Sequence, residues 1–358
     1  MVIFLKIWKY IGRGFAVLGV TLAILIGALY GAMWIMVNGP SSHVGRLFVL
    51  SVRETSAAGF LADWFMSEEE IAALYEGQKS DEDIAIDKGL IQIARPDAPS
   101  IDDIEFGEQV SGELDTGEVG GPENEPEEKD VEVVDVVGKL YNGKMIIVKD
   151  PGRVFVGTPD TYGASAKGLP VITMVKKYDA LAGINAGGFY DPNGSGTGGI
   201  PDGIVISGGK LLWGDINGGS NIAGIDKDHI LHVGYMTTRR ALDIGIMEAV
   251  SFGPALIING EPRNATAPLG GGLNPRTAIG QRSDGAMLLL VVNGRSAESL
   301  GATYDDLIEI MMKFGAVNAT NLDGGSSSLM IYEGDYITHS AYAFGDRVVA
   351  TSFLVRRK

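Results

Sequence analysis

From Lys144 onward the chain is written in short apolar or alternating runs, each closed within a few residues by Gly, Pro, Asn or Asp. They read "KMIIVKD", "RVFVGT", "GIVISGGKLLWG", "HILHVGYM", "PALIINGEP", "AMLLLVVNGR", "SLMIYEG" and "TSFLVRR". Apolar runs this short, punctuated by turn formers, read as strands. Glycine makes up 51 of 358 residues, roughly double its usual share, and much of it falls between these runs, which favours tight turns. Gly208-Gly209 inside "VISGGKLL" predicts a hairpin. No fixed period relates the runs, so propellers and solenoids are disfavoured. Two helices are expected among them. Thr303 can cap "YDDLIEIMMKF", with Asp305 and Asp306 at the positive helix end and Gly315 beyond it. "ITMVKKYDALAG" predicts a second helix ending at Gly183. The expected class is α+β, a largely β core with a few helices, over residues 138–358.

A different physics governs the first part of the chain. Residues 15–37, Phe15 to Val37, carry no charge, and 23 residues of helix cross a hydrocarbon core of about 30 Å. Lys6, Lys9 and Arg13 precede this stretch, in residues 1–14. The positive-inside tendency therefore puts the N-terminus in the cytoplasm and the main domain outside, at the cell membrane. Arg46 and Arg53 on the far side pull weakly against that orientation. A cleaved signal peptide would have a shorter apolar region and a small-x-small site. Residues 38–78 have helical spacing, and "SEEEIAALYEG" begins with a capping box, Ser67 with Glu70. Residues 79–137 read as an acidic linker: between Ile101 and Asp135 there are 14 Asp/Glu and one Lys. Such a run repels itself and extends, a spacer lifting the domain off the membrane.

The formal charge of −16 is therefore local. Residues 1–137 hold 25 acids against 9 Lys/Arg, and residues 138–358 hold 20 of each. A neutral domain lacks the electrostatic footprint of a nucleic-acid binder. With no cysteine, thiolate metal sites, Cys nucleophiles and disulfides are excluded.

Three constellations carry possible chemistry. In "NLDGGSSSLM", Asp323 follows a short strand, and Gly324 and Gly325 let the backbone approach a ligand with Ser326 and Ser327 close behind. Equally, an Asp-Gly-Gly turn can use its carboxylate on its own backbone. In "INAGGFYDPNGSGTGGIPDG", Asn185 ends an apolar approach, Gly187 and Gly188 bring the backbone close, and Phe189 and Tyr190 offer a flat face to a sugar. In "NPRTAIGQRSDG" and "VVNGR", Arg276 with Thr277, and Arg295, supply planar cations that suit phosphate or carboxylate. His229 and His232 in "KDHILHVG" fall on opposite faces of a strand, so they do not read as a metal pair.

Taken in order, "INAGGFYD", "GPALIINGE", "RTAIGQRSDG", "VVNGR", "GATYDDLIEIMMKFGAVNATNLDGGSSSLMI" and "DRVVATSFLVRR" resemble the phosphodiester glycosidase family, over about residues 140–357. Asn293 stands where that family often has an Asp, so no charge is expected there. The resemblance implies hydrolysis of a sugar-1-phosphodiester in an envelope or exopolysaccharide glycan. It implies catalytic roles for Asp323 and Arg276. The substrate would be bound by Asn185, Gly188, Phe189, Tyr190, Thr277, Arg295, Gly324, Gly325, Ser326 and Ser327. Asp202 and Glu248 are the nearest candidates for a second carboxylate. No cofactor is required, and a divalent cation held by Asp323 and neighbouring oxygens is left open. Glycosyl transfer at the same site is an alternative, as is a non-enzymatic glycan-binding or scaffold protein, which would need the aromatic loop but not Asp323 or Arg276.

Overall fold

A computed structural model describes residues 2–55, 59–74, 84–93, 130–263, 271–342 and 345–358. Most of the acidic run lies outside them. Three antiparallel sheets share one central core, and each carries a helix on its outer face. The largest sheet has seven strands and is built on the hairpin Val131–Val137 with Asn142–Val148, followed across the sheet by Met287–Val292, Arg276–Arg282, Ala316–Leu322, Ala255–Ile258 and the short edge strand Glu261–Pro262. Its central strands alternate with period two. Met287, Leu289 and Val291 face the shared core, whereas Leu288, Leu290 and Val292 face the helix Tyr304–Lys313. Burial on both faces is why "MLLLVV" reads as one continuous apolar run.

The helix Tyr304–Lys313 starts where expected. Asp306 N–H donates to Thr303 Oγ1 at 3.2 Å, and Thr303 N–H donates back to Asp306 at 2.8 Å. Such a cap contributes about 1 kcal/mol, and the burial of Leu307 and Met311 contributes roughly 1.5–3 kcal/mol each. The Ser67–Glu70 capping box is also present, at the start of a helix over Glu68–Leu74. The Gly208-Gly209 hairpin joins Val205–Ser207 to Lys210–Trp213. The second expected helix is shorter than its sequence suggested, spanning Val171–Lys177. Ala180–Asn185 is instead a strand, held between Met330–Tyr332 and Ser352–Arg356 and buried along most of its length. Inter-strand pairing on both sides outweighs the helix propensity of "DALAG". A further short helix, not expected from the sequence, spans Thr238–Asp243, capped by Thr237.

The ordered domain also begins before residue 138. Val131–Val137 pairs along its whole length with Asn142–Val148. Farther upstream, Ile84 and Ile86 pack on the central core, and Gln92 N–H donates to Ser283 O at 2.7 Å. Lys88 pairs with the buried Asp226, which also bonds His232 at 2.9 Å. Part of the stretch read as linker is therefore attached to the domain.

The N-terminal helix runs Val2–Asn38 and contains an apolar candidate membrane span at Ile11–Asn38. It is followed by a helix over Ser42–Arg53 and a 3-10 turn at Gly59–Trp64. These elements are not held away from the domain. Ser51 Oγ accepts from Leu273 N at 2.8 Å, and Glu54, next after the helix, reaches into the domain. Those contacts seat the Ser42–Arg53 helix directly on the domain.

Candidate active site

Antiparallel register assembles the site. Thr277 lies opposite Leu322, so the start of one strand and the end of its neighbour coincide, and the "RTAIG" and "NLDGG" motifs meet side by side. A cavity of about 210 Å³ opens there, walled by Arg276, Arg295, Asn274, Tyr304, Asp191, Phe252 and the turn from Asp323 to Ser327. A larger cleft of about 620 Å³ lies between residues 135–141 and the Tyr304–Lys313 helix. Its Asp135 and Glu309 side chains are solvated, and no buried carboxylate faces it.

Asp323 sits at the strand end with its amide donating to Ala186 O at 2.9 Å. The next residues fold back under it: Gly325 N–H donates to Pro275 O at 2.8 Å, and Gly325 takes φ +59, a left-handed conformation natural to glycine. Burial pushes the Asp323 carboxyl up to about 7, against the opposing pull of the Ser327 hydroxyl, the Arg347 charge and the Gly324 amide. The nearby Asp191 adds to the upward push. A carboxyl titrating near neutrality can exchange a proton with substrate or water at physiological pH.

Beside it lies a cradle for an anion. Arg276 is buried; its Nε donates to Ala302 O at 3.1 Å and its guanidinium lies 4.3 Å over the Tyr304 ring. Those contacts fix the plane of the fork. Arg295 donates to Asn274 Oδ1 at 3.0 Å. The cradle holds the Glu54 carboxylate, which accepts from Arg276 Nη2 at 2.6 Å, Asn274 Nδ2 at 2.7 Å and Gly272 N at 3.2 Å. A carboxylate in such a fork marks where a phosphate oxygen fits equally well.

Other sequence candidates have different places. Asn185 is fully buried: it donates to Asp323 O at 2.6 Å and accepts from Thr277 Oγ1 at 2.8 Å and Leu329 N at 3.2 Å. Thr277 is equally buried and also bonds Ser328 at 3.2 Å. Both tie the Asp323 turn to the sheet, with no face left for a sugar. Phe189 is packed into the core beside Leu329 and Ile331. Gly188 lies against the Phe252 ring, 2.8 Å from where a Cβ would stand. Tyr190 is exposed and does not wall the cavity. Glu248 accepts from Val156 N at 2.9 Å and Gly208 N at 3.0 Å, a structural use. Asp202 walls a neighbouring cleft with Ser220 and Asn221, and burial raises its pKa.

Sequence reasoning passed over Asp191, Arg347, Asn274, Tyr304 and Glu54. Asp191 stood in the quoted loop, one residue after Tyr190; it forms an ion pair with the buried Arg347, whose guanidinium lies 5.2 Å over the Phe189 ring. Among the described residues no group of His, Cys, Asp or Glu is arranged to hold a metal ion.

Comparison with known proteins bears on this geometry. The phosphodiester glycosidase profile matches residues 178–356. A prophage-derived uncharacterized protein, YomE, of Bacillus subtilis is 33% identical over 193 residues, covering 51% of this chain and 29% of that protein. N-acetylglucosamine-1-phosphodiester alpha-N-acetylglucosaminidase of Bos taurus is 28% identical over 151 residues, 37% of this chain and 28% of that one. The chain thus matches less than a third of the length of either curated relative. The zebrafish enzyme of that name, solved as a catalytic domain auto-inhibited by its pro-peptide, superposes with a TM-score of 0.55 at 21% identity, covering 65% of this chain and 85% of that one. That likeness is one of fold.

Proposed function

Since the chain belongs to the phosphodiester glycosidase family, we propose that its domain hydrolyses a sugar-1-phosphodiester outside the cytoplasm, anchored by its N-terminal helix. One observation carries the reading: a carboxyl titrating near 7 stands beside a preorganised anion cradle in the same cavity. Arg276, Arg295 and Asn274 hold the phosphate. Asp323 takes a proton from water as the water oxygen bonds to the anomeric carbon. The C1–O bond breaks, and its electron pair leaves with the phosphomonoester. That leaving group is already a stabilised anion, so it needs little help from a general acid. Asp191, paired with Arg347, is the second carboxylate near the reacting centre and tunes Asp323 electrostatically.

Glu54 occupies the cradle that substrate must enter, so the resting chain is masked by its own juxtamembrane segment. The pro-peptide inhibition of the zebrafish domain supports this reading. The test is release of free sugar from UDP-GlcNAc and a panel of sugar-1-phosphodiesters by the full chain, with Asp323→Asn and Arg276→Ala beside it. Release abolished in both variants supports the assignment. Release that survives Asp323→Asn refutes it.

A further inference from the structure

The mask and the membrane helix are two sides of one small module. Tyr30, in the N-terminal helix, stacks on Phe65 at 5.4 Å and meets Trp64 at 6.5 Å. Gly45 of the following helix is buried against the Val37 backbone. Val49, Ala62 and Ile71 form the module's core, with Val37 and Phe48 packed on it. The Ser42–Arg53 helix is thereby fixed beside the last turns of the span.

Three large rings on this module find no cover. Trp34 is 52% exposed, Phe60 56% and Trp64 53%. They are clustered: Trp34 lies one turn from Tyr30 on the same helix face, and Phe60 and Trp64 meet edge to face at 5.9 Å. Exposed aromatic rings at the end of a membrane helix are placed for the headgroup level of a bilayer, where an amphipathic ring is at home. From this collar to the cradle the path is short. Asp63, just before Trp64, pairs with Arg53 at 3.0 Å, and Glu54 is the residue after Arg53. A further cavity of about 350 Å³, walled by Leu47, Leu50, Leu140 and Leu273 together with His43, Arg46, Thr303, Asp305 and Asp306, adjoins the cradle at Gly271, where an added Cβ would stand 3.1 Å from Arg276 Nη2.

We propose that the collar of Trp34, Phe60 and Trp64 seats the anion cradle on the outer surface of the bilayer, and that the substrate is a lipid-linked sugar phosphodiester drawn from that membrane. The phosphate takes the place of Glu54, the sugar meets Asp323, and the aliphatic part lies along the leucines of that cavity. This deepens the hydrolase reading and rests on it, and on the N-terminal helix crossing the membrane.

The full chain is reconstituted in vesicles of phosphatidylcholine with a minor share of phosphatidylglycerol. Two probes carry the same headgroup: dipalmitoylglycerol esterified through phosphate to the anomeric oxygen of N-acetylglucosamine, and the water-soluble methyl ester of that sugar phosphate. The expected result is at least about tenfold faster release from the lipid-borne probe, as two buried acyl chains hold it at the surface. Trp34→Ser, Phe60→Ser and Trp64→Ser combined should remove that preference while soluble-probe release stays within about twofold. Equal release of both probes by the unaltered chain overturns the proposal, as does an undiminished preference in the triple variant. Brominated lipid supplies a readout independent of turnover. Tryptophan quenching should be larger in the unaltered chain than in Trp64→Phe, and an equal value overturns the membrane seat. Quenching at Trp64 with neither probe cleaved refutes the hydrolase reading, and the lipid-linked substrate falls with it.

Discussion

The Glu54 contact can be turned into a number. Its carboxylate accepts three hydrogen bonds in the cradle, and its side chain is 17% exposed. Hydrogen bonds to a charged group contribute roughly 1.5–3 kcal/mol each when partly buried. The substrate's phosphate regains most of that on replacing Glu54, so only the mask's net preference for the closed position opposes binding. Tethering raises that preference by presenting the carboxylate at an effective concentration on the order of millimolar. A net masking term of about 1.5–3 kcal/mol is reasonable, and about 1.4 kcal/mol is tenfold. Glu54→Gln keeps the shape and one acceptor oxygen but removes the charge. The variant should lower the apparent KM for a sugar phosphodiester by about ten- to hundredfold, with kcat changed less than about twofold. Steady-state kinetics on vesicle-reconstituted chain at fixed ionic strength measures this, and inorganic phosphate should become a tighter competitive inhibitor in the same variant. An unchanged KM would refute the masking argument. A raised KM would make Glu54 part of the substrate site instead.

Titration gives two more tests. The Asp323 carboxyl is raised to about 7 from 3.8, so between those values the folded state holds a proton that the unfolded state has released, and stability falls as pH rises through that window. At about 1.4 kcal/mol per unit, Asp323→Asn should be less stabilising at pH 4 and relatively more so at pH 8, by up to about 4 kcal/mol, read from urea melts at both pH values. A flat difference would disprove the burial argument. Activity, by contrast, should rise with pH through an apparent pKa near 7, and Arg347→Gln removes a cation that holds Asp323 down, so its activity limb should move to higher pH by about half a unit to one unit. A limb that stays in place would mean that another group titrates. Asn185→Ala breaks three buried bonds and should destabilise the domain by about 2–4 kcal/mol. A variant of unaltered stability but weakened substrate binding would restore the sugar-binding role first expected of it.

Strand existence was legible because buried strands must be apolar and turns must carry Gly, Pro, Asn or Asp. The capped helix at Tyr304 was legible because caps are local. The end of the Val171 helix was not, since "DALAG" becomes a strand only through partners as distant in sequence as Ser352–Arg356. The site divides the same way. Asp323, Arg276 and Arg295 stood out by residue type at strand ends. Asn185 and Thr277 stood out by motif, but an amide's role depends on which of its bonds the fold already uses, and here the fold uses three. Glu54 lies in "SVRETSAAG", which has no feature to set it apart. Its meaning comes wholly from tertiary placement.

The strand Ser352–Arg356 lies between Val154–Gly157 and Ala180–Asn185, bonded to both. The first of those strands is made about 200 residues of synthesis before this partner and the second about 170. Until the strand Ser352–Arg356 leaves the ribosome, a slot in this sheet stays open and Phe353 is missing from the core. Protease resistance of chains arrested at successive lengths should rise only once Arg356 has cleared the exit tunnel, and earlier resistance would show that the sheet tolerates the gap. From Asn185 to Ser352 the nascent chain carries two strand edges waiting for a strand not yet made.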